Sequence, residues 1–468
     1  MPRTVGRRGK GYGLAACLAG LLVTACYAPR PLDGRVLLTQ MRQADSAGQA
    51  AERKEAGGGL LTEEDGVREA LARAPAVQDA RAAVAEAEGG VDRTRAVDNP
   101  EVRADNAYLN KGKTHTETDV YRLGVDLRVN LPSQADRQAR IDTARAEVAA
   151  ARAAVLLAEA RVRRDVRVSF ARATAARAAM VLLERLVAAR HEREASLAVA
   201  LAGGQGMATD LAQARLATAD AEDRLGRAVE EQADALGSLG RVLGVEPPVP
   251  GTLALPEQPA CRQPPEGGAG LEDRVLATSP TLENRRALHL RAEKEAQAEH
   301  LAWLPRLKYV EVGYTRNFLV GAESTVPGYQ FEPRYYAWSV HLSLALELPL
   351  WNFNQGKIRT AEARVERETA RFREALSGTV ADLQQQLARW RTARDRAGRT
   401  EAVAVPAAEE AMRATRQGLE SGRLSVASAL EAEERLLLAR VRLVEDQAAC
   451  RIAEVEVEAV LGGPGASP

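Results

Sequence analysis

Residues 134–201 read QADRQARIDTARAEVAAARAAVLLAEARVRRDVRVSFARATAARAAMVLLERLVAARHEREASLAVAL, sixty-eight residues without a glycine or a proline. Ala, Arg, Glu, Leu and Val dominate the stretch, so it is expected to form one unbroken α-helix about 100 Å long at about 1.5 Å per residue. Ile141, Val148, Val155 and Val162 recur every seven residues, with Ala144, Ala151 and Ala158 beside them. Such a narrow seam of small apolar side chains needs a partner helix. Gly203, Gly204 and Gly206 end the run, and a second helix is expected from about Thr209 to Leu243.

Composition agrees with long helices rather than several compact cores, because aromatic residues make up only 4% of the 468 residues. The formal charge is zero; without residues 1–25, which hold Arg3, Arg7, Arg8 and Lys10, it is −4. Neither value gives a reason to expect nucleic acid. His115, His191, His289, His300 and His341 are scattered, no Cys or His spacing matches a metal site, and no catalytic constellation is visible. The sequence therefore predicts a protein that is not an enzyme, with no cofactor and no metal.

Residues 1–25 combine a basic segment (Arg3 to Lys10), an apolar segment (Leu14 to Val23) and small residues before Cys26, the pattern of a secretory signal too short to span a membrane. Val23-Thr24-Ala25-Cys26 resembles the lipobox of bacterial lipoproteins, which implies acylation of Cys26; ordinary cleavage near Ala25 is the alternative. By the same resemblance, Tyr27 after the cysteine implies the outer membrane. Residues 26–60, closed by Gly57-Gly58-Gly59, read as an extended tether. A helical pattern then runs from Thr62 to about Val97, interrupted early by Pro75 and stopped by Asn99-Pro100.

Beyond Pro100 the period changes to two. Tyr121, Leu123, Val125, Leu127, Val129 and Leu131 alternate with Arg122, Gly124, Asp126, Arg128 and Asn130, giving one apolar and one polar face. With a weaker strand from Glu101 to Leu109 and a polar loop at 110–118, this reads as a hairpin. The whole pattern then recurs. Leu71 and Pro75 answer to Leu276 and Pro280, Pro100 to Pro305, Leu131-Pro132 to Leu348-Pro349, Gly206 to Gly422, and Leu243-Gly244 to Leu461-Gly462, a spacing of about 205 to 218 residues. The second strand pattern is Trp338, Val340, Leu342, Leu344, Leu346 and Leu348, and the loop before it, Leu319 to Arg334, is longer. Domain boundaries follow as a first repeat at 61–246, a Pro/Gly-rich connection at 247–270, a second repeat at 271–462 and a tail at 463–468.

Thirteen of the eighteen Trp, Tyr and Phe residues fall within 101–131 or 303–353, among them Tyr108, Tyr121, Trp303, Tyr309, Tyr314, Tyr335, Tyr336, Trp338 and Trp351. Membrane barrels place such rings at the headgroup levels; a buried soluble sheet is the alternative. Four strands cannot close a barrel whose smallest size is about eight, and open strand edges are not tolerated in lipid. The barrel is therefore expected to be shared. Three chains give twelve strands, and two repeats of paired helices in three chains give a ring of twelve helical columns.

From these residues the chain is identified as a TolC-like outer-membrane efflux protein. The resemblance implies a mainly α fold with membrane β, long antiparallel α-hairpins forming an α-barrel below a trimeric β-barrel. Pro349-Leu350-Trp351-Asn352-Phe353-Asn354-Gln355-Gly356-Lys357-Ile358 resembles the strand-to-helix junction of the heavy-metal-efflux branch, and the lipobox suits the partners of resistance-nodulation-division (RND) pumps; together these resemblances imply an inner-membrane RND-type pump and a periplasmic adaptor (membrane fusion) protein as partners, in a Gram-negative bacterium. Residues 209–215 and 422–432 resemble the two hairpin tips at the periplasmic entrance, so Gly206, Thr209, Gly422, Leu424 and Ser425 are expected at adaptor contacts. The family's second tip carries two aspartates that ring the aperture; the matching positions here are Ser428 and Glu431. Glu431 reads either as one ring of three carboxylates or as a solvated helix residue, and Asp210 as a gate or as a first-turn acid.

Pro406 inside the second long helix is expected to kink or break it. Cys261 and Cys450 read as a disulfide or as two separate thiols. Two rival functions remain, a type I protein-secretion duct of the same fold and a poreless coiled-coil lipoprotein. The alternating strands speak against the second.

Overall fold

The structure, a computed structural model, describes residue 39 and residues 62–110, 119–131, 133–204, 207–243, 262–263, 269–302, 304–320, 337–421 and 423–463. The signal segment with Cys26, the tether, the strand loops at 111–118 and 321–336, the turn residues Gly206 and Gly422, and Cys261 with most of the connection lie outside the described residues.

Thr62 opens the first helix of the first repeat, its hydroxyl accepting the Asp65 N–H at 3.2 Å. That helix, α1 (Glu63–Arg73), stops at Ala74, and α2 (Pro75–Arg95) starts afresh with its proline in the first turn, where a missing N–H costs nothing. β1 (Glu101–Asn110) and β2 (Asp119–Asn130) follow. Ser133, whose hydroxyl accepts the Asp136 N–H at 3.1 Å, caps α3 (Gln134–Ala202), a single helix of 69 residues. α4 (Ala208–Leu243) returns alongside it. The same order then repeats as α5 (Ala269–Thr278), α6 (Pro280–Leu301), β3 (Arg306–Val320), β4 (Ala337–Glu347), α7 (Gln355–Arg399), α8 (Val405–Glu420) and α9 (Val426–Val460).

The helices form four columns. α3 packs against α1, α2 and α4 on one side and against α6 and α9 on the other; α7 packs against α6 and α9. The lengths explain the match: α1, α2 and α4 (11, 21 and 36 residues), stacked end to end, come within one residue of the 69 of α3. α5, α6 and α9 (10, 22 and 35) likewise come within one residue of α7, the turn after it and α8 (45, 5 and 16). The predicted seam of α3 faces this packing, with Ala144 and Val148 against Ala87 and Val91 of α2. Where stacked ends meet, each repeat has its own core. Val166 and Phe170 bury with Val77, Leu239 and Leu243 in the first repeat, and Leu282, Leu383 and Trp390 bury with Val457 in the second. Each fully buried leucine contributes roughly 1.5–3 kcal/mol.

At Pro406 the outcome differs from a simple break. Thr400–Ala404 form one π-turn with helical dihedrals on both sides, and α8 begins at once with Pro406 in its first turn. Within the bulge the Val405 N–H donates to the Thr400 carbonyl five residues back, and the ordinary helical ladder resumes in α8. The bulge also turns the Thr400 hydroxyl onto the Asp446 carboxylate of α9, at 2.8 Å.

The four strands form one antiparallel sheet in the order β1-β2-β3-β4, so the central β2–β3 pair joins the two repeats and β1 and β4 are its edges. Among the described residues no helix is long and apolar enough to cross a membrane.

Candidate functional site

Register assigns each strand residue to a face. Val102, Leu127, Val312 and Leu342 lie in one cross-strand row, and Ala104, Val125, Tyr314 and Val340 in the next. The large apolar members of these rows are all exposed, Leu342 at 66%, on a scale that water-facing sheets do not show. Trp338 sits at one end of β4, and beyond the other Trp351 is 89% exposed. The 11 residues of β4 span about 36 Å, or about 28 Å of height at a tilt near 40°. That is close to the apolar band of a membrane barrel, about 25 Å.

The opposite face is polar. Glu101, Arg128, Glu311 and Ser343 form one row, and Arg103, Asp126, Gly313 and His341 the next. Arg128 binds the Glu311 carboxylate at 2.7 Å and lies over the Tyr309 ring at 4.0 Å. Across the second row Asp126 and His341 reach over Gly313 to meet at 3.4 Å, because a side chain on Gly313 would occupy the place where they touch. Donor atoms of Asp126, Glu311 and His341 lie within 4.8 Å of one another, a group able to hold a metal ion. Nothing local in the sequence marks these three residues, because only strand register between the two repeats brings them together.

At the far end of the helices, α3 and α4 form one hairpin and α8 and α9 another. Arg193 ties the two, pairing with Glu434 at 3.4 Å and with Glu431 at 3.8 Å. Glu431 also accepts from Arg435 at 2.6 Å. Ser425 is the N-cap of α9, and Ser428, whose N–H donates to the Ser425 hydroxyl at 3.3 Å, belongs to that cap. Asp210 and Thr209 are exposed in the first turn of α4. The N–H groups of Arg423 and Leu424 both donate to the Gly418 carbonyl, at 2.9 and 3.1 Å, and the Leu424 side chain lies where a side chain on Gly418 would be. Val199, Met207, Leu424 and Val426 leave apolar surface exposed around both tips.

Midway along the helices a charged belt joins the repeats, and local sequence patterns do not show it. Arg451 binds Glu63 at 2.9 Å and Glu454 at 3.0 Å; Arg167 binds Glu458 at 3.0 Å and Glu63 at 3.3 Å. Glu454 is only 1% exposed. Burial opposes the charge of Arg451, but Glu63 and Glu454 outweigh it and hold the guanidinium pKa above its ordinary value. Burial pushes the Glu458 carboxyl up, against the pull of Arg167. Cys450, fully buried one turn from Glu454, is disulfide-bonded to a residue outside the described ones.

Between belt and tips, α3, α4 and α9 line an open groove with charges of both signs, including Arg172, Arg224, Glu231, Arg442 and Glu445. Burial, then Glu231 and Asp446, raise the Glu445 pKa, with Arg442 and Arg224 opposing. A carboxyl raised by folding costs stability once it ionises, so its penalty is absent below the unfolded pKa and complete above the folded one. Glu445→Gln is therefore expected to raise the unfolding temperature at pH 7, by a margin that vanishes towards pH 4. Thermal scans of both proteins across that range check it; a margin independent of pH would contradict it.

A membrane-facing sheet continued by four long helical columns defines a subunit of the TolC-like channel-tunnel class, mainly helical with a small membrane sheet. The chain belongs to the outer membrane efflux protein family, whose sequence profile matches residues 66–245 and 271–463. Solved channels share the fold at low identity. CusC superposes with a TM-score of 0.67 at 18% identity, covering 86% of this chain and 93% of that one. The outer membrane protein VceC from Vibrio cholerae gives 0.64 at 18%, covering 86% and 96%. The MtrE outer membrane channel of Neisseria gonorrhoeae gives 0.66 at 18%, covering 86% and 89%. Among proteins with curated functions, none matches this sequence.

Proposed function

We propose that three copies of this chain form the outer-membrane exit duct of a tripartite efflux system. The duct passively conducts heavy-metal cations or drugs delivered by an inner-membrane RND-type pump through a periplasmic adaptor. The observation that carries this reading is the sheet: among the described residues, four strands with two unpaired edges and an exposed apolar face. In lipid those edges must be paired, and joining β4 of one copy to β1 of the next closes twelve strands around the polar face. The apolar tips around Met207 and Leu424 suit an adaptor's helical hairpins. Acylation of Cys26 would add an anchor in the outer membrane. Purified protein in a planar lipid bilayer is expected to give discrete ohmic conductance steps; a protein that inserts without conducting would favour a poreless structural role.

Cys261 is the proposed partner of Cys450. Its neighbour Arg262 lies 3.5 Å from Glu454, on the next turn of α9 after Cys450. Peptide mapping without reductant is expected to recover the two cysteines in one linked pair, and Cys450→Ser to lower stability by about 2–5 kcal/mol. Linkage of Cys450 to another cysteine would contradict the assignment.

A further inference from the structure

We propose that Asp126, Glu311 and His341 bind a divalent transition cation of the Zn2+ class on the polar face of the sheet. Three observations converge. The donor atoms already lie within 4.8 Å of one another, and a tetrahedral zinc site needs ligand separations of about 3.4 Å, a closure within reach of side-chain rotation. Asp126 is only 8% exposed, and its Oδ1 has the His341 imidazole at 3.4 Å but no hydrogen bond. A buried carboxylate oxygen left in that state is costly unless a cation or a donor meets it. Finally, glycine at position 313 opens the space between Asp126 and His341, where any side chain would collide with both.

The donor chemistry selects the ion. One imidazole nitrogen with two carboxylate oxygens suits Zn2+ and its first-row neighbours better than Ca2+ or Mg2+, which favour all-oxygen shells. Three protein ligands leave a position for water. Arg128 is the competitor, since it holds Glu311 at 2.7 Å. The guanidinium keeps the Tyr309 ring at 4.0 Å and Glu101 at 4.0 Å when Glu311 turns to the ion. The site needs only the sheet of one chain; its position along a conduction path rests on the proposed duct.

The test is Zn2+ titration of untagged full-length protein in competition with a chromophoric chelator, with CD spectra confirming that each variant is folded. Wild type is expected to bind one Zn2+ per chain with an affinity that Asp126→Asn, Gly313→Val and His341→Gln each weaken at least about tenfold. His341 is partly exposed, so His341→Gln leaves a folded variant if the buried substitutions do not. His300→Ala, which removes an exposed imidazole paired with Glu362, is expected to leave binding unchanged. No saturable binding by wild type, or equal affinity in His341→Gln, would overturn the proposal. Binding without bilayer conductance would sink the duct and leave the site standing; conductance without binding would do the reverse.

Discussion

Leu342→Arg is expected to remove the protein from the outer-membrane fraction, while Ser343→Arg, one residue along β4, leaves it there. Leu342 belongs to the exposed row with Val102, Leu127 and Val312. Arginine on the lipid face of a membrane barrel costs about 2–4 kcal/mol near the midplane. Three copies multiply that to roughly 6–12 kcal/mol per assembly, comparable with the whole stability of an ordinary domain. Ser343 points to the other face, directly across from Glu311, where a guanidinium meets water and a carboxylate. Density-gradient fractionation and heat-sensitive migration of the oligomer on gels read the difference. Equal tolerance of both substitutions, or equal loss, would mean that the apolar face does not meet lipid.

Arg451→Met is expected to destabilise the folded protein by about 3–5 kcal/mol, because it leaves the Glu454 carboxylate buried without its closest cation. Glu63 loses a partner at the same time and, among the described residues, keeps Arg167. Arg451→Met combined with Glu454→Gln is expected to be milder than Arg451→Met alone, since the double change removes the stranded charge along with its partner. Arg81→Ala, which breaks the outward pair with Glu159, is the contrast: Arg81 is half exposed, and such pairs contribute about 0–1 kcal/mol. Thermal unfolding in detergent separates the three variants. An Arg451→Met protein as stable as Arg81→Ala would show that the belt does not hold the repeats together.

The architecture was legible wherever a local period decides the structure. A run free of glycine and proline from Gln134 has little choice but helix, and strict alternation from Tyr121 has little choice but strand. Pro75 and Pro406 were visible as interruptions, but their form was not. Ala74 ends one helix before Pro75, whereas a π-turn carries the chain through Pro406, and both prolines look alike in the sequence. Contacts between the repeats were hidden as well. Arg435 stands four residues after Glu431 and could be read as its partner, but Arg193 reaches Glu431 only because the two hairpin tips lie side by side. Asp126, Gly313 and His341 share a row only through two strand pairings, and no spacing in the sequence encodes such a row. Glu454 reads as one more charged helix residue until α1 and α3 bring Glu63 and Arg167 to its belt.

The account depends on the free edges of β1 and β4 pairing between copies until three have closed the ring. Single cysteines placed on the lipid face of β1, at Val102 or Ala104, are combined with single cysteines along β4, at Val340, Leu342 or Leu344, and oxidised in native membranes. In one chain these positions are separated by β2 and β3, about 14 Å at the usual strand spacing, too far for a disulfide. At least one combination is expected to give a covalent ladder of one, two and three chains that stops at three. Monomer alone in every combination, or a ladder that continues past three, would contradict the closed barrel.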